Sequence, residues 1–250
     1  MSWEVGDLER GPVPLWFQVS ERLRAAIARG EFVVGDALPS ESVLNRRFGI
    51  SRTTARAALD QLEVDGLITR GSGRGSIVLP PRVEQPLNLL ASFAEDMKAR
   101  GLVPGYRTLS VRATPATAAV AEALGVRRGT RVVTIDRLLL ADGEPLAATR
   151  VRLSPDVLPV RNRPEPSQLD QISLYEWLET TTGHRIALGE EYIEADVADP
   201  HLAELLLIEP GAAVLVARRC SRAADRRPIE YVVNTYRADR YRFRVELVRP

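Results

Sequence analysis

Between Val78 and Asn88 the chain reads VLPPRVEQPLN. Its three prolines forbid a helix through this window, because each ring removes a backbone donor and crowds the preceding turn. The window therefore reads as a linker. The window predicts two folded segments, residues 1–79 and 91–250, joined by a linker at 80–90, and both are of ordinary domain size.

The first segment is patterned for helices. Leu15, Val19, Leu23 and Ile27 recur at four-residue spacing, and Gly30 closes that helix. Ser40 is placed to cap a second helix with Val43, Leu44 and Phe48 on its apolar side, and Gly49 supplies the positive φ that ends it. Ser51 caps a third, with Ala55, Leu59 and Leu62 as the inner stripe and Asp65-Gly66 as the stop. Leu67-Ile68 and Ser76 to Leu79 then read as short strands joined by Gly71-Ser72-Gly73-Arg74-Gly75, a hairpin.

The second segment is mostly strand-like. Tyr106 to Ala113, Val132 to Leu140, Leu146 to Leu153, Ala187 to Val197, Ala213 to Arg222 and Ile229 to Tyr236 are the predicted strands, with hairpin turns at Asp142-Gly143 and Asp225 to Pro228. Helices are predicted over Ser92 to Arg100, Thr117 to Leu124 and Ser173 to Thr180. The expectation is an α+β chain: a three-helix head with a hairpin, then an antiparallel sheet domain with helices.

On a wheel of the third helix, Thr53 and Arg56 point away from the inner stripe and Arg52 sits on its shoulder. Guanidinium and hydroxyl groups in this place suit base edges and phosphates, and a helix start favours a phosphate. The tight turn at Gly49-Ile50 lets the third helix enter a major groove while the second lies on the backbone. Net charge is only +1, but six arginines and three acids fall between Arg46 and Arg74, so the basicity is local. The bland alternative is a solvated helix face followed by a glycine hairpin.

The stretch from Pro14 to Val78, with its LPSE, SRTTAR, DGLI and GRGS pieces, resembles the winged helix-turn-helix of the GntR transcription regulators. The resemblance implies DNA contacts from Ser40, Glu41, Ser51, Arg52, Thr53, Thr54 and Arg56, and from Gly73, Arg74 and Gly75 in the wing. Where the family usually has an arginine after the PSE glutamate, this chain has Ser42, with Arg46 or Arg47 as the nearest replacement.

Residues 88–250, through strings such as SLYEWLE and PIEYVVNTYRADRYRFRVEL, resemble the UTRA domain of the HutC subfamily, which has a chorismate-lyase-like fold and binds small effectors. Mapped by motif, the implied effector residues are Ser92, Phe93, Arg137, Ser173, Tyr175, Glu230 and Tyr236. Arg137 suits an anionic group and Glu230 a hydroxyl or amine. The bland reading makes Arg137 an edge-strand residue, Tyr236 a half-buried sheet residue and Ser173 only a cap. Members that bind sugar phosphates often carry a second arginine where Leu139 stands and an acid where Thr149 stands, so a less charged ligand is expected. The ADRYRF run, Ala238 to Phe243, is placed by the family in the closing part of the sheet and receives no contact.

His184 and His201 are the only histidines and lack ligand spacing, so no metal or other cofactor is expected. The single cysteine, Cys220, excludes an intrachain disulfide and reads as a small strand residue. No signal-like start and no apolar run of ~20 residues is present, which predicts a cytoplasmic protein away from membranes. Together these readings predict a transcription regulator, a repressor released by a metabolite, acting as a homodimer on an inverted-repeat DNA operator. Two rivals are a DNA-binding protein whose second domain only dimerises, and a lyase-like enzyme with a DNA-binding appendage. No nucleophile–base pair stands out for the latter.

Overall fold

The computed structural model describes residues 3–4, 6–71, 75–80 and 82–247. The chain divides into two compact units, residues 1–83 and 84–250.

In the first unit, α1 (Leu15–Ala28), α2 (Glu41–Phe48) and α3 (Arg52–Val64) are followed by β1 (Ile68–Gly71) and β2 (Gly75–Val78). The caps fall where the sequence puts them. Ser40 accepts from the Val43 amide at 3.4 Å, and Ser51 accepts from the Thr54 amide at 3.1 Å. Gly49 takes φ 63°, the left-handed value that turns the chain from α2 into α3 within three residues. Val19, Leu23, Leu44, Leu59, Leu62 and Ile68 close the core. Val43 is a correction: it is exposed, because Leu44 and Phe48, four apart, already occupy the inner stripe and Val43 lies a helical step away from it. The hairpin is antiparallel, Ile68 opposite Val78 and Gly71 opposite Gly75, so the first strand runs three residues beyond the expected Ile68.

Strand β3 (Val83–Pro86) begins at the boundary between the units, inside the stretch expected to be linker. Then follow α4 (Phe93–Ala99), β4 (Pro104–Pro115), α5 (Ala118–Leu124), β5 (Arg131–Ala141), β6 (Glu144–Leu153), α6 (Pro166–Leu169), α7 (Leu174–Thr182), β7 (Leu188–Val197), α8 (Pro200–Leu206), β8 (Ala213–Arg222), β9 (Pro228–Arg237) and β10 (Tyr241–Arg244). The main sheet has the order β4-β5-β6-β9-β8-β7, and each neighbouring pair is antiparallel. One face packs Val133, Ile135, Val151 and Leu153 against Leu169, Trp177 and Leu178 of α6 and α7. The opposite face meets α5 through Val120, Leu124 and Val132, and α8 through Leu138, Ala203 and Leu206.

Two expectations are corrected here. The ADRYRF run does not extend the main sheet, since a turn after β9 carries β10 into a separate two-stranded sheet with β3. Helix α8, absent from the sequence reading, is capped by Asp199, which accepts from the Leu202 amide at 2.7 Å, and starts on Pro200. Its sequence signal is the Asp-Pro start, a capping side chain followed by a residue that needs no amide partner.

Candidate functional site

On the first unit, α3 buries Ala55, Ala58, Leu59 and Leu62, leaving Ser51, Arg52, Thr53 and Arg56 exposed on its N-terminal side. Thr54 is half-buried, its hydroxyl 2.8 Å from that of Ser51, so it locks the cap. Glu41 on α2 faces this surface and holds two arginines. Its carboxylate accepts from Arg56 Nε at 3.0 Å and from Arg70 Nη2 at 2.7 Å, and Arg70 also pairs with Asp60. The Arg56 hydrogen bonds hold the Glu41 carboxyl below its ordinary range even against desolvation. Ser40, Glu41, Ser42, Arg52, Arg70 and Gly75 line one open groove between α2, the start of α3 and the hairpin. Arg70, from β1, thus lines the same groove as Ser42, and the sequence reading did not single it out. Arg47 lies over the Phe48 ring, 5.1 Å from its centroid. Gly75 opens β2 with φ +75°, whereas Gly73 and Arg74 lie outside the described residues.

All seven effector residues proposed from the sequence, Ser92, Phe93, Arg137, Ser173, Tyr175, Glu230 and Tyr236, line one cavity in the second unit. It is narrow, ≈ 70 Å³, room for a handful of waters. The sheet supplies its floor: Arg137 on β5 pairs with Thr149 on β6, which pairs with Asn234 on β9, so these side chains share one face. Ser92 caps α4 and Ser173 caps α7, each accepting from a backbone amide through its oxygen, and the Ser92 hydroxyl also bonds the Glu95 carboxylate.

Arg137 is the unusual group. It is 1% exposed, and among the described residues no carboxylate lies within ion-pair distance of it. Its Nη2 donates to the carbonyl of Ile172 at 2.9 Å and to that of Leu169, its guanidinium lies 4.2 Å from the Tyr106 ring centroid, and its Nε has no partner. Burial pulls its pKa down to about 10. The neighbouring Tyr106 hydroxyl is likewise buried without a partner, and burial raises its pKa to about 12. A buried cation with unsatisfied donors is costly unless an anion completes it.

The other end of the cavity is internally compensated. Arg219 on β8 donates to the Tyr175 hydroxyl at 2.8 Å and lies 3.5 Å from Glu191 and 4.0 Å from Glu230. Glu230 accepts from Ser221 at 2.9 Å and from Tyr175 at 3.3 Å, both on Oε1. Burial raises the Glu230 pKa. Tyr236 stacks on Tyr241 with centroids 4.0 Å apart, and Tyr241 donates to Gln85 on β3. Arg219, Tyr106, Tyr241 and Gln85 line the cavity and were missed. Arg219 had no usable signal, since Arg218 beside it in the same strand carries the same charge and is exposed. Tyr241 and Gln85 had none, because their strands pair only in three dimensions.

Comparison with known proteins agrees with this geometry. Residues 17–78 match "Bacterial regulatory proteins, gntR family", and residues 99–242 match "UTRA domain". The chain belongs to the GntR family. It is 33% identical over 235 residues to the HTH-type transcriptional repressor NagR of Bacillus subtilis, 94% of this chain and 95% of that one. It is 30% identical over 234 residues to the mannosyl-D-glycerate transport/metabolism system repressor MngR of Escherichia coli, 93% of this chain and 95% of that one. The crystal structure of PhnF from Mycobacterium smegmatis superposes with a TM-score of 0.63 at 26% identity, covering 92% and 99% of the two chains. The GntR chain described here is therefore a DNA-binding transcription regulator with an effector domain, and not an enzyme. No helix among its described residues is long and apolar enough to cross a membrane.

Proposed function

We propose that this GntR regulator is a cytoplasmic, homodimeric repressor that leaves an inverted-repeat operator when a small anionic metabolite fills the cavity behind Arg137. The observation that carries the effector class is the buried guanidinium without a carboxylate partner. Leu139 and Thr149, which line the same cavity, add no second charge beside it, so one carboxylate-sized anion is the matching group. Ser173 donates to that group, and Ser92 borders it. Tyr175 and Glu230 receive the ligand's polar far end, and Phe93 and Tyr236 hold its body.

In the DNA-binding unit, Arg52, Thr53 and Arg56 read the major groove, while Ser40, Ser51 and Thr54 shape the helix starts that meet phosphates. Gly73, Arg74 and Gly75 form the wing contact. Glu41 acts through Arg56 and Arg70: it orients one edge of the Arg56 fork and leaves the other edge for DNA. Effector binding biases the poses of the two DNA-binding units across residues 80–90, a coupling typically worth ~1–3 kcal/mol.

The test is thermal denaturation of the full chain, and of Arg137→Met, against carboxylated, phosphorylated and uncharged metabolites. The stabilising compounds should carry a carboxylate or similar monoanion and lose their effect in the variant. An uncharged stabiliser, or one acting equally on both proteins, refutes the anionic assignment. The reading in which the second domain only dimerises would be favoured by a complete absence of stabilisers.

A further inference from the structure

Three buried polar atoms on the wall of the effector cavity lack a hydrogen-bond partner among the described residues: Arg137 Nε, the Tyr106 hydroxyl and Asp96 Oδ2. Arg137 and Tyr106 are neighbours, and an anion there completes the guanidinium. Asp96 Oδ2 is different. It is an acceptor, so an anion cannot engage it.

Asp96 stands on α4 four residues after Ser92 and three after Phe93, and helical spacing brings all three to the cavity wall. The residue is 9% exposed. Its Oδ1 is committed to Arg100, whose Nη1 donates at 2.5 Å. Arg100 is itself fixed, because it also donates to the carbonyls of Asp96 and of Glu84 on β3. Tyr241 approaches Asp96 but gives its single proton to Gln85. The carboxylate is thus held rigidly with one oxygen taken and the other open. Burial raises the Asp96 pKa even with Arg100 beside it. A buried carboxylate oxygen without a donor is costly, and it mirrors the cost of the open Arg137 Nε.

The charges that line the cavity balance in number, Arg137 and Arg219 against Asp96 and Glu230. A monoanion alone would leave this enclosed set with excess negative charge, whereas a ligand carrying both signs preserves the balance. Glu230 is the less available acid, because Ser221 and Tyr175 already donate to it and Arg219 lies 4.0 Å away. The stacked Tyr236 and Tyr241 rings line the cavity and feel the Asp96 charge, and an aromatic wall suits a cation better than a second anion.

We infer that Asp96 is an effector-contact residue whose Oδ2 accepts from a protonated amine, so that the effector is a zwitterion with its anionic group on Arg137 and its amine on Asp96. The inference rests on the anionic effector proposed for this cavity and supplies its second charge.

Isothermal titration calorimetry on the full chain tests it, with short straight-chain carboxylates of increasing length, each paired with its ω-amino counterpart. In the best-fitting pair the amino member should bind wild type at least about tenfold tighter, the worth of one charge-assisted hydrogen bond. Asp96→Asn keeps an acceptor for Arg100 and puts an amide donor in place of Oδ2. In that variant the amino member should lose its advantage while the plain carboxylate keeps its wild-type affinity. Unchanged circular dichroism shows that the variant is folded, and the wild-type comparison stands without it. Arg137→Met should weaken both members of the pair. Equal affinities within every wild-type pair, or an amino advantage that survives in Asp96→Asn, overturn the Asp96 contact and leave the anion on Arg137 standing. Absence of binding by every carboxylate, or undiminished binding to Arg137→Met, overturns the anionic effector and this inference with it.

Discussion

Replacing Arg137 by Met separates a ligand contact from a structural cation. The guanidinium is buried, and burial lowers its pKa from 12.5 to about 10, which makes its charge in the ligand-free protein cost roughly 3 kcal/mol. Against that cost stand hydrogen bonds to the Leu169 and Ile172 carbonyls, roughly 1.5 kcal/mol each because the donor is charged, and the Tyr106 ring contact, about 2 kcal/mol when desolvated. Methionine fills similar volume, removes the charging cost and forfeits those contacts. The ligand-free protein should therefore lose only about 2 kcal/mol, short of the ~3–5 kcal/mol typical of breaking a paired buried charge. Effector affinity should fall much further, by ~2–5 kcal/mol, because the ligand's anion would then be buried without its partner. Urea unfolding of the ligand-free protein measures the first quantity, and release of promoter DNA in a gel shift as inducer is titrated measures the second. A stability loss above about 4 kcal/mol, or release at the wild-type inducer concentration, would refute the argument.

Three further outcomes are expected. Glu230 has a pKa raised by burial, so its charge destabilises the native state once pH exceeds the ordinary carboxylate range, and that penalty is absent below it. Glu230→Gln should accordingly gain melting temperature over wild type at pH 8, with the gain shrinking toward pH 4; a gain constant across that range contradicts the burial argument. Arg56→Ala should weaken promoter binding about ten- to a hundredfold at fixed salt, and undiminished affinity in a gel shift removes its base contact. Arg74→Ala should reduce the slope of log affinity against log salt by about 1, and an unchanged slope eliminates a phosphate contact from the wing.

Local chemistry wrote much of this protein openly. Ser40, Ser51, Ser92 and Ser173 each cap the helix that follows them, because capping depends on a side chain reaching a backbone amide three residues on. The α3 stripe of Ala55, Leu59 and Leu62 marked the inner face of that helix for a similar reason, since its period acts over single turns. The seven effector residues were legible only through likeness to a family. Nothing in their spacing along the chain brings Ser92, Arg137 and Glu230 together.

Tertiary structure decided the rest. Residues 83–86 looked like linker until β10 returned to pair with them. Only the folded chain showed that Arg137, though it feels the charge of Asp170, has no carboxylate within ion-pair distance among the described residues. Arg70, far from Ser42 in sequence, reaches the same groove only through the fold of β1. Periodicity and capping act over a few residues, so the sequence reveals them. Whether a buried charge has a partner depends on residues far apart in the chain, and only the folded chain brings those residues together.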